Sequence, residues 1–94
     1  MALPKLLLDV EMIDGTIHEN VRVILADMIR HSETAQRHKW PTSIEADQVR
    51  ATAFYAYAAM TRTGLYDSNR GFDEFCNDVA MIGAEGMDEI VDPT

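Results

Sequence analysis

A single cysteine, Cys76, stands in the 94 residues, so no internal disulfide can staple the fold, and that usage fits a reducing compartment. Basic charge is scarce. Eight Lys and Arg face sixteen Asp and Glu, a formal charge of −8 that opposes binding to nucleic acid phosphate or to an anionic membrane surface. No apolar run approaches the roughly 20 residues of a membrane span. The start Met1-Ala2-Leu3-Pro4-Lys5-Leu6-Leu7-Leu8 joins a basic residue to an apolar run, but Asp9 and Glu11 cut it short of a signal sequence. There is no Gly-x-Ser-x-Gly elbow, phosphate loop or Gly-x-Gly-x-x-Gly. These absences predict a soluble intracellular protein that is no enzyme and takes no cofactor.

Metal ligation is equally short of material. Asp27 and His31 lie four apart on one predicted helical face, yet no Cys-x-x-Cys or His-x-x-x-His pair occurs, and structural zinc wants four ligands, usually in close pairs. His38 lies two turns beyond His31, about 10 Å by helical rise. Cys76 falls on an apolar stripe between Phe75 and Val79, which predicts a buried, inert thiol.

What is present suffices for one small domain. A chain of this length buries about 60% of its surface on folding, so helix packing or self-association must supply the margin. Leu6, Leu8, Val10 and Met12 alternate with Leu7, Asp9, Glu11 and Ile13, the period of a strand with one buried face. Asp14-Gly15 suits a two-residue type I′ turn. A second strand follows from Thr16 to Val23, with Ile17, Val21 and Val23 on its inner side and His18, Asn20 and Arg22 opposite.

This hairpin needs a helix to cover it. From about Leu25 to Lys39 the residues Leu25, Met28, Ile29, Ser32, Ala35 and Gln36 trace a helical stripe. Pro41 then forces a corner at Trp40. Thr42 or Ser43 can cap a second helix that runs to about Thr63 and stops at Gly64. Its middle, from Ala51 to Met60, is apolar nearly all round, the pattern of a helix buried centrally or in an oligomer. After a turn-rich loop from Leu65 to Gly71, Phe72, Phe75, Cys76, Val79 and Ile82 recur at helical spacing and predict a third helix ended by Gly83 and Gly86. The result is an α+β domain of order ββααα over residues 1–86, with 87–94 as a mobile acidic tail.

Two features point outward. Acids crowd the last quarter at Asp73, Glu74, Asp78, Glu85, Asp88, Glu89 and Asp92, either as a solvated face or as a lure for a basic partner. Tyr55 and Tyr57 lie on different sides of the second helix, so one of them is expected to reach a partner surface, with Met60 beside them. Trp40, Pro41, Phe54, Phe72 and Phe75 read as structural.

In Thr34-Ala35-Gln36-Arg37-His38-Lys39-Trp40-Pro41 and Phe54-Tyr55-Ala56-Tyr57-Ala58-Ala59-Met60-Thr61-Arg62-Thr63-Gly64, the chain resembles tail assembly chaperones of long-tailed phages infecting actinobacteria. The order of features is similar too: a hairpin around Asp-Gly-Thr, a basic helix into a Lys-Trp-Pro corner, an aromatic and alanine-rich helix, then Phe72-Asp73-Glu74-Phe75. The likeness runs from about Asp14 to Val79. It implies binding of the tape measure protein, and of the major tail protein as a further partner, without cofactor or chemistry, in the cytoplasm of the infected bacterium and not in the finished virion. It also implies a longer product made by ribosomal frameshifting near the end of the gene. Charge alone supports an alternative, an acidic inhibitor or nucleic-acid mimic that binds a basic protein.

The tail's composition leaves it few apolar contacts, so a chain truncated after Gly86 should melt at the temperature of the parent. A loss of several degrees would make the tail structural.

Overall fold

The computed structural model describes residues 6–40 and 44–84. The Pro41 corner, the Thr42 or Ser43 cap and the acidic tail of 87–94 lie outside them. The elements are β1 (Leu6–Met12), β2 (Ile17–Val23), α1 (Leu25–His38), α2 (Ile44–Thr63), α3 (Phe72–Asp78) and β3 (Val79–Ala84). The hairpin and three helices of the predicted α+β domain are all there. A third strand is added, and it makes a three-stranded antiparallel sheet in the order β2-β1-β3. The predicted third helix is therefore too long: it ends at Asp78, and Val79 turns to extended backbone with φ −105° and ψ 131°. Residues 79 and 82 fit a helical stripe, but β1's second edge offers the unpaired chain a ladder.

The hairpin turn also differs from expectation. Among the described residues only Gly15, Asn20, Lys39 and Gly64 have positive φ, so Asp14 is not left-handed as type I′ requires. Met12 accepts from the Gly15 amide at 2.9 Å and donates to the Thr16 carbonyl at 2.7 Å. That is a type I turn followed by a left-handed glycine, a three-residue loop. Asp14 closes it by accepting from the Thr16 amide at 2.9 Å, the side-chain mimicry that makes aspartate a turn former.

A bulge changes the faces of β2. Leu8 pairs with Val21 and Val10 with His18, so three steps on β2 match two on β1. Asn20 carries the extra residue at φ 59°, a conformation asparagine tolerates better than most, and its amide donates to the Asp9 carboxylate at 2.9 Å. The extra residue inverts the alternation beyond it. Val21 and Val23 are buried as expected, while Ile17 lands on the outer face and is exposed.

The core lies between the sheet and α2. Leu8, Val10, Val21 and Val23 from the strands meet Phe54, Ala56, Tyr57, Ala58, Ala59 and Met60, with Phe75 of α3 closing one end. The middle of α2, from Phe54 to Met60, is apolar nearly all round and is covered where β2, α1 and α3 pack on it, whereas Val49 nearer its start is 85% exposed. Gly64, at φ 84°, ends it, and the Leu65 and Tyr66 amides donate back to the Met60 carbonyl at 2.8 and 3.1 Å.

Helix α1 is turned about from the predicted orientation. Of the stripe Leu25, Met28, Ile29, Ser32, Ala35 and Gln36, only Ala35 is buried; Leu25 is 70% exposed and Ile29 50%. The inner side instead carries Asp27, His31, Thr34 and Ala35, against α2. An ion pair sets this rotation. Arg62 at the end of α2 donates through Nε to Asp27 Oδ1 and through Nη2 to Oδ2, both at 3.1 Å, and Nη2 also reaches the Arg22 carbonyl at 3.0 Å. Asp27 Oδ2 further accepts from the Ile24 amide at 3.0 Å and so caps α1. One forked contact ties the end of β2 and the start of α1 to the end of α2.

The two halves of that pair should not be equivalent. Asp27 is buried, whereas the Arg62 side chain is 35% exposed. Arg62→Met strands a carboxylate away from water and should cost about 2–4 kcal/mol in urea unfolding. Asp27→Asn leaves a guanidinium that water can reach and should cost less. The reverse ranking would show that the pair does not set the position of α1.

Candidate functional site

The inverted helix creates the most distinctive surface of the molecule. Leu25, Met28 and Ile29 are spaced i, i+3 and i+4, so their side chains share one stripe, and all three are exposed. Ser32 continues the stripe in the next turn, with exposed Glu33 beside it, while Arg30 reaches the other way to donate to Thr61 Oγ1 of α2 at 3.1 Å. Isolated exposed apolar residues are ordinary, whereas a contiguous row on one helix face is a candidate interaction surface. The arrangement is suited to taking the apolar stripe of another helix along α1. A second apolar group lies on the open side of the sheet, where Ile17 and Met81 flank Glu11 across the three strands and Ile13 follows.

The residues predicted to meet a partner mostly do not reach the surface. Met60 is fully buried and Tyr57 is nearly so. Tyr57 lies among Phe54, Phe72, Phe75 and Tyr66 at centroid distances of 5.5–6.2 Å, and its hydroxyl donates to the Arg70 carbonyl at 2.8 Å. Both are core residues, because the middle of α2 packs against β2, α1 and α3. Tyr55 is half-buried, its ring 5.2 Å from His31. Sequence reasoning missed Leu25, Met28 and Ile29 as surface residues. The signal was Asp27 on the opposite side of the same turn, with Arg62 far along the chain to receive it.

Trp40 sits just past α1 and is half-buried. Its ring stacks on His38 at 5.4 Å, lies 6.1 Å from Phe54 and 5.8 Å from Phe72, and takes the Arg50 guanidinium at 5.1 Å. Phe54 and Phe75 are buried and Phe72 is half-buried. Cys76, predicted to be buried, is exposed, because the stripe of so short a helix turns only Phe75 fully inward. Desolvation and neighbouring Asp73 raise the thiol's pKa, with Arg50 opposing, which disfavours the thiolate, the reactive form. Among the described residues no three His, Cys, Asp or Glu come together as a metal site needs, and no helix is long and apolar enough to cross a membrane.

No protein-family model, curated protein or solved structure matches this chain. The reading of function therefore stands on the surfaces and on the resemblance in sequence.

The acidic cluster proves to be partly internal bracing. Arg70 Nη2 meets Asp78 at 2.9 Å and Glu74 at 3.3 Å, and the Tyr66 hydroxyl donates to Asp78 at 2.6 Å while accepting from Arg70 Nε at 3.0 Å. The hydrogen bond from Tyr66, with Arg70, holds the Asp78 carboxyl below its ordinary range against a smaller opposing push from burial. Burial and the bond to Asp78 push the Tyr66 phenol upward. A carboxylate whose folded pKa is depressed contributes stability above its unfolded value, about 3.9, and loses it as pH falls through the folded value. A phenol raised on folding contributes below its unfolded value, about 10, and loses that as pH rises. Tyr66→Phe should therefore flatten the loss of stability below about pH 4 and above about pH 10. Chemical denaturation across pH checks this, and profiles parallel to the parent's would dismiss the brace.

Proposed function

We propose that this protein is a non-enzymatic binding protein that covers exposed apolar helix surface on a partner, and that it serves as a tail assembly chaperone for a tape measure protein in the cytoplasm of an infected bacterium. The observation that carries the reading is the outward stripe Leu25, Met28 and Ile29 on α1. A fold held by an inward ion pair leaves these side chains in water, and a partner helix with its own apolar row would relieve both surfaces. The resemblance to tail assembly chaperones supplies the partner: a long helical chain exposes such rows until the tail tube encloses it. The charge of −8 suits the task, since loaded complexes repel one another.

The acidic inhibitor remains the competing reading and rests on the same net charge. It draws less from the acids near α3, because Glu74 and Asp78 are engaged by Arg70 within the chain.

Production of the tape measure protein alone should give aggregates, and production with this chain should keep it soluble, with several copies bound per tape measure. Leu25→Asp and Ile29→Asp, at sites 70% and 50% exposed, should leave the melting curve near the parent's and abolish the complex, because an unpaired charge would be buried on binding. Asp73→Lys should matter little. No co-purification at low or high salt would refute the chaperone, and a complex lost at moderate salt would favour the acidic inhibitor.

A further inference from the structure

The two edges of the sheet are built differently. At one edge β2 carries His18, Glu19 and Arg22, the charges that discourage strand addition. At the other edge β3, Val79-Ala80-Met81-Ile82-Gly83-Ala84, has no charged residue and no proline; each edge has one bulge, at Asn20 on β2 and at Ala80 on β3, where Glu11 pairs with Met81 and Met12 with Val79. Among the described residues no strand pairs with the far side of β3. The core is open there too: Leu8 and Val10 of β1 are 1% and 0% exposed, whereas Val79 and Ile82 are only half-buried.

We propose that the free edge of β3 pairs antiparallel with the same edge of a second copy, with Ile82 on the two-fold axis, to form a continuous six-stranded sheet. The register follows from fit. On the outer face Met81 projects with 67% exposure, and a side-chain carbon placed on Gly83 would meet nothing within 4 Å. With Ile82 opposite Ile82 of the copy, each Met81 lies against the Gly83 of the other chain, projection against gap, twice over. An interface of this kind must be self-complementary. On the inner face the two Ile82 side chains meet and close the half-open ends of both cores. A strand from an unrelated protein could use the same backbone groups, but an edge without charge gives it nothing specific to read, while the reciprocal fit of Met81 and Gly83 is particular to a copy. Two chains of −8 repel, so the pairing tightens as salt screens them, the reverse of a contact between opposite charges.

Sedimentation of the full chain over a range of concentrations should show a monomer–dimer equilibrium that strengthens several-fold between about 50 and about 500 mM salt. Hydrogen exchange on the same samples should show alternate amides of β3 gaining protection as concentration rises, with β2 unchanged. In a Cys76→Ser background, Ile82→Cys should cross-link to itself on mild oxidation, and Gly83→Cys alone should not. A chain that stays monomeric throughout, a dimer that protects α1 in place of β3, or β3 protection independent of concentration would each overturn the pairing. Cross-linking at 83 but not 82 would overturn its register. The exchange measurement uses the unaltered chain, so it decides the matter even if a cysteine variant fails to fold.

Discussion

Asp27 is the buried charged side chain of the described structure, and a lone carboxylate in that position would be strongly unfavourable. Two donors from Arg62 and the Ile24 amide make it tolerable. Satisfying that one group dictates much else. Helix α1 must begin directly where β2 ends, α2 must finish level with that junction, and α1 must present to α2 the side that carries Asp27. Once that side is inward, the row of Leu25, Met28 and Ile29 has nowhere to go but outward. The exposed apolar row is in this sense a by-product of electrostatic satisfaction: the polar contact selects the rotation, and the apolar residues take what rotation remains. Ion pairs of this type contribute little net stability compared with apolar replacements, so orientation is the more telling consequence.

At the opposite end of the molecule rings take over from charges. Trp40, Phe54, Tyr57, Phe72, Phe75 and Tyr66 form a run of tilted and edge-on contacts with centroids 5.0–6.2 Å apart. Such geometry adds to the burial of area, and it fixes α3, which with seven residues is too short to stand alone. The alanines of α2 serve the same end. Ala56, Ala58 and Ala59 are fully buried, and their small size lets neighbouring elements approach while the rings fill the periphery.

The hairpin, the central character of α2 and the stop at Gly64 could be read from period, turn residues and apolar content because each depends on neighbours in sequence. The errors came where a distant group decided. Helix α1 shows an apolar stripe, and periodicity alone assigns such a stripe to the core; Arg62, thirty-five residues on, reverses it. Ile17 continues the alternation of β2 on paper, yet the Asn20 bulge displaces it. Val79 and Ile82 stand at a helical spacing that would put them on opposite faces of a regular strand, and a bulge at Ala80 lets both pack on the core once β3 joins the free side of β1. Of the candidate contacts, Tyr57 and Met60 were misplaced because an all-apolar helix gives no clue to which face is least covered. The structural aromatics were legible, since large rings in a small acidic chain have few other places to go.

No residue lies between α3 and β3: Asp78 ends one and Val79 begins the other. The carbonyl of Asp78 already accepts from the Ile13 amide at 2.7 Å, so the helix passes into the sheet without slack. Removing or adding one residue here would exchange the inward and outward sides of the whole strand, sending Ile82 to solvent and Met81 toward the core. Length variation is better absorbed at the exposed tip Asp67-Ser68-Asn69 of the loop after α2, which lies between the Tyr66 and Arg70 that brace Asp78. Among variants of this chain, insertions should therefore gather at that tip and avoid the helix-to-strand junction altogether.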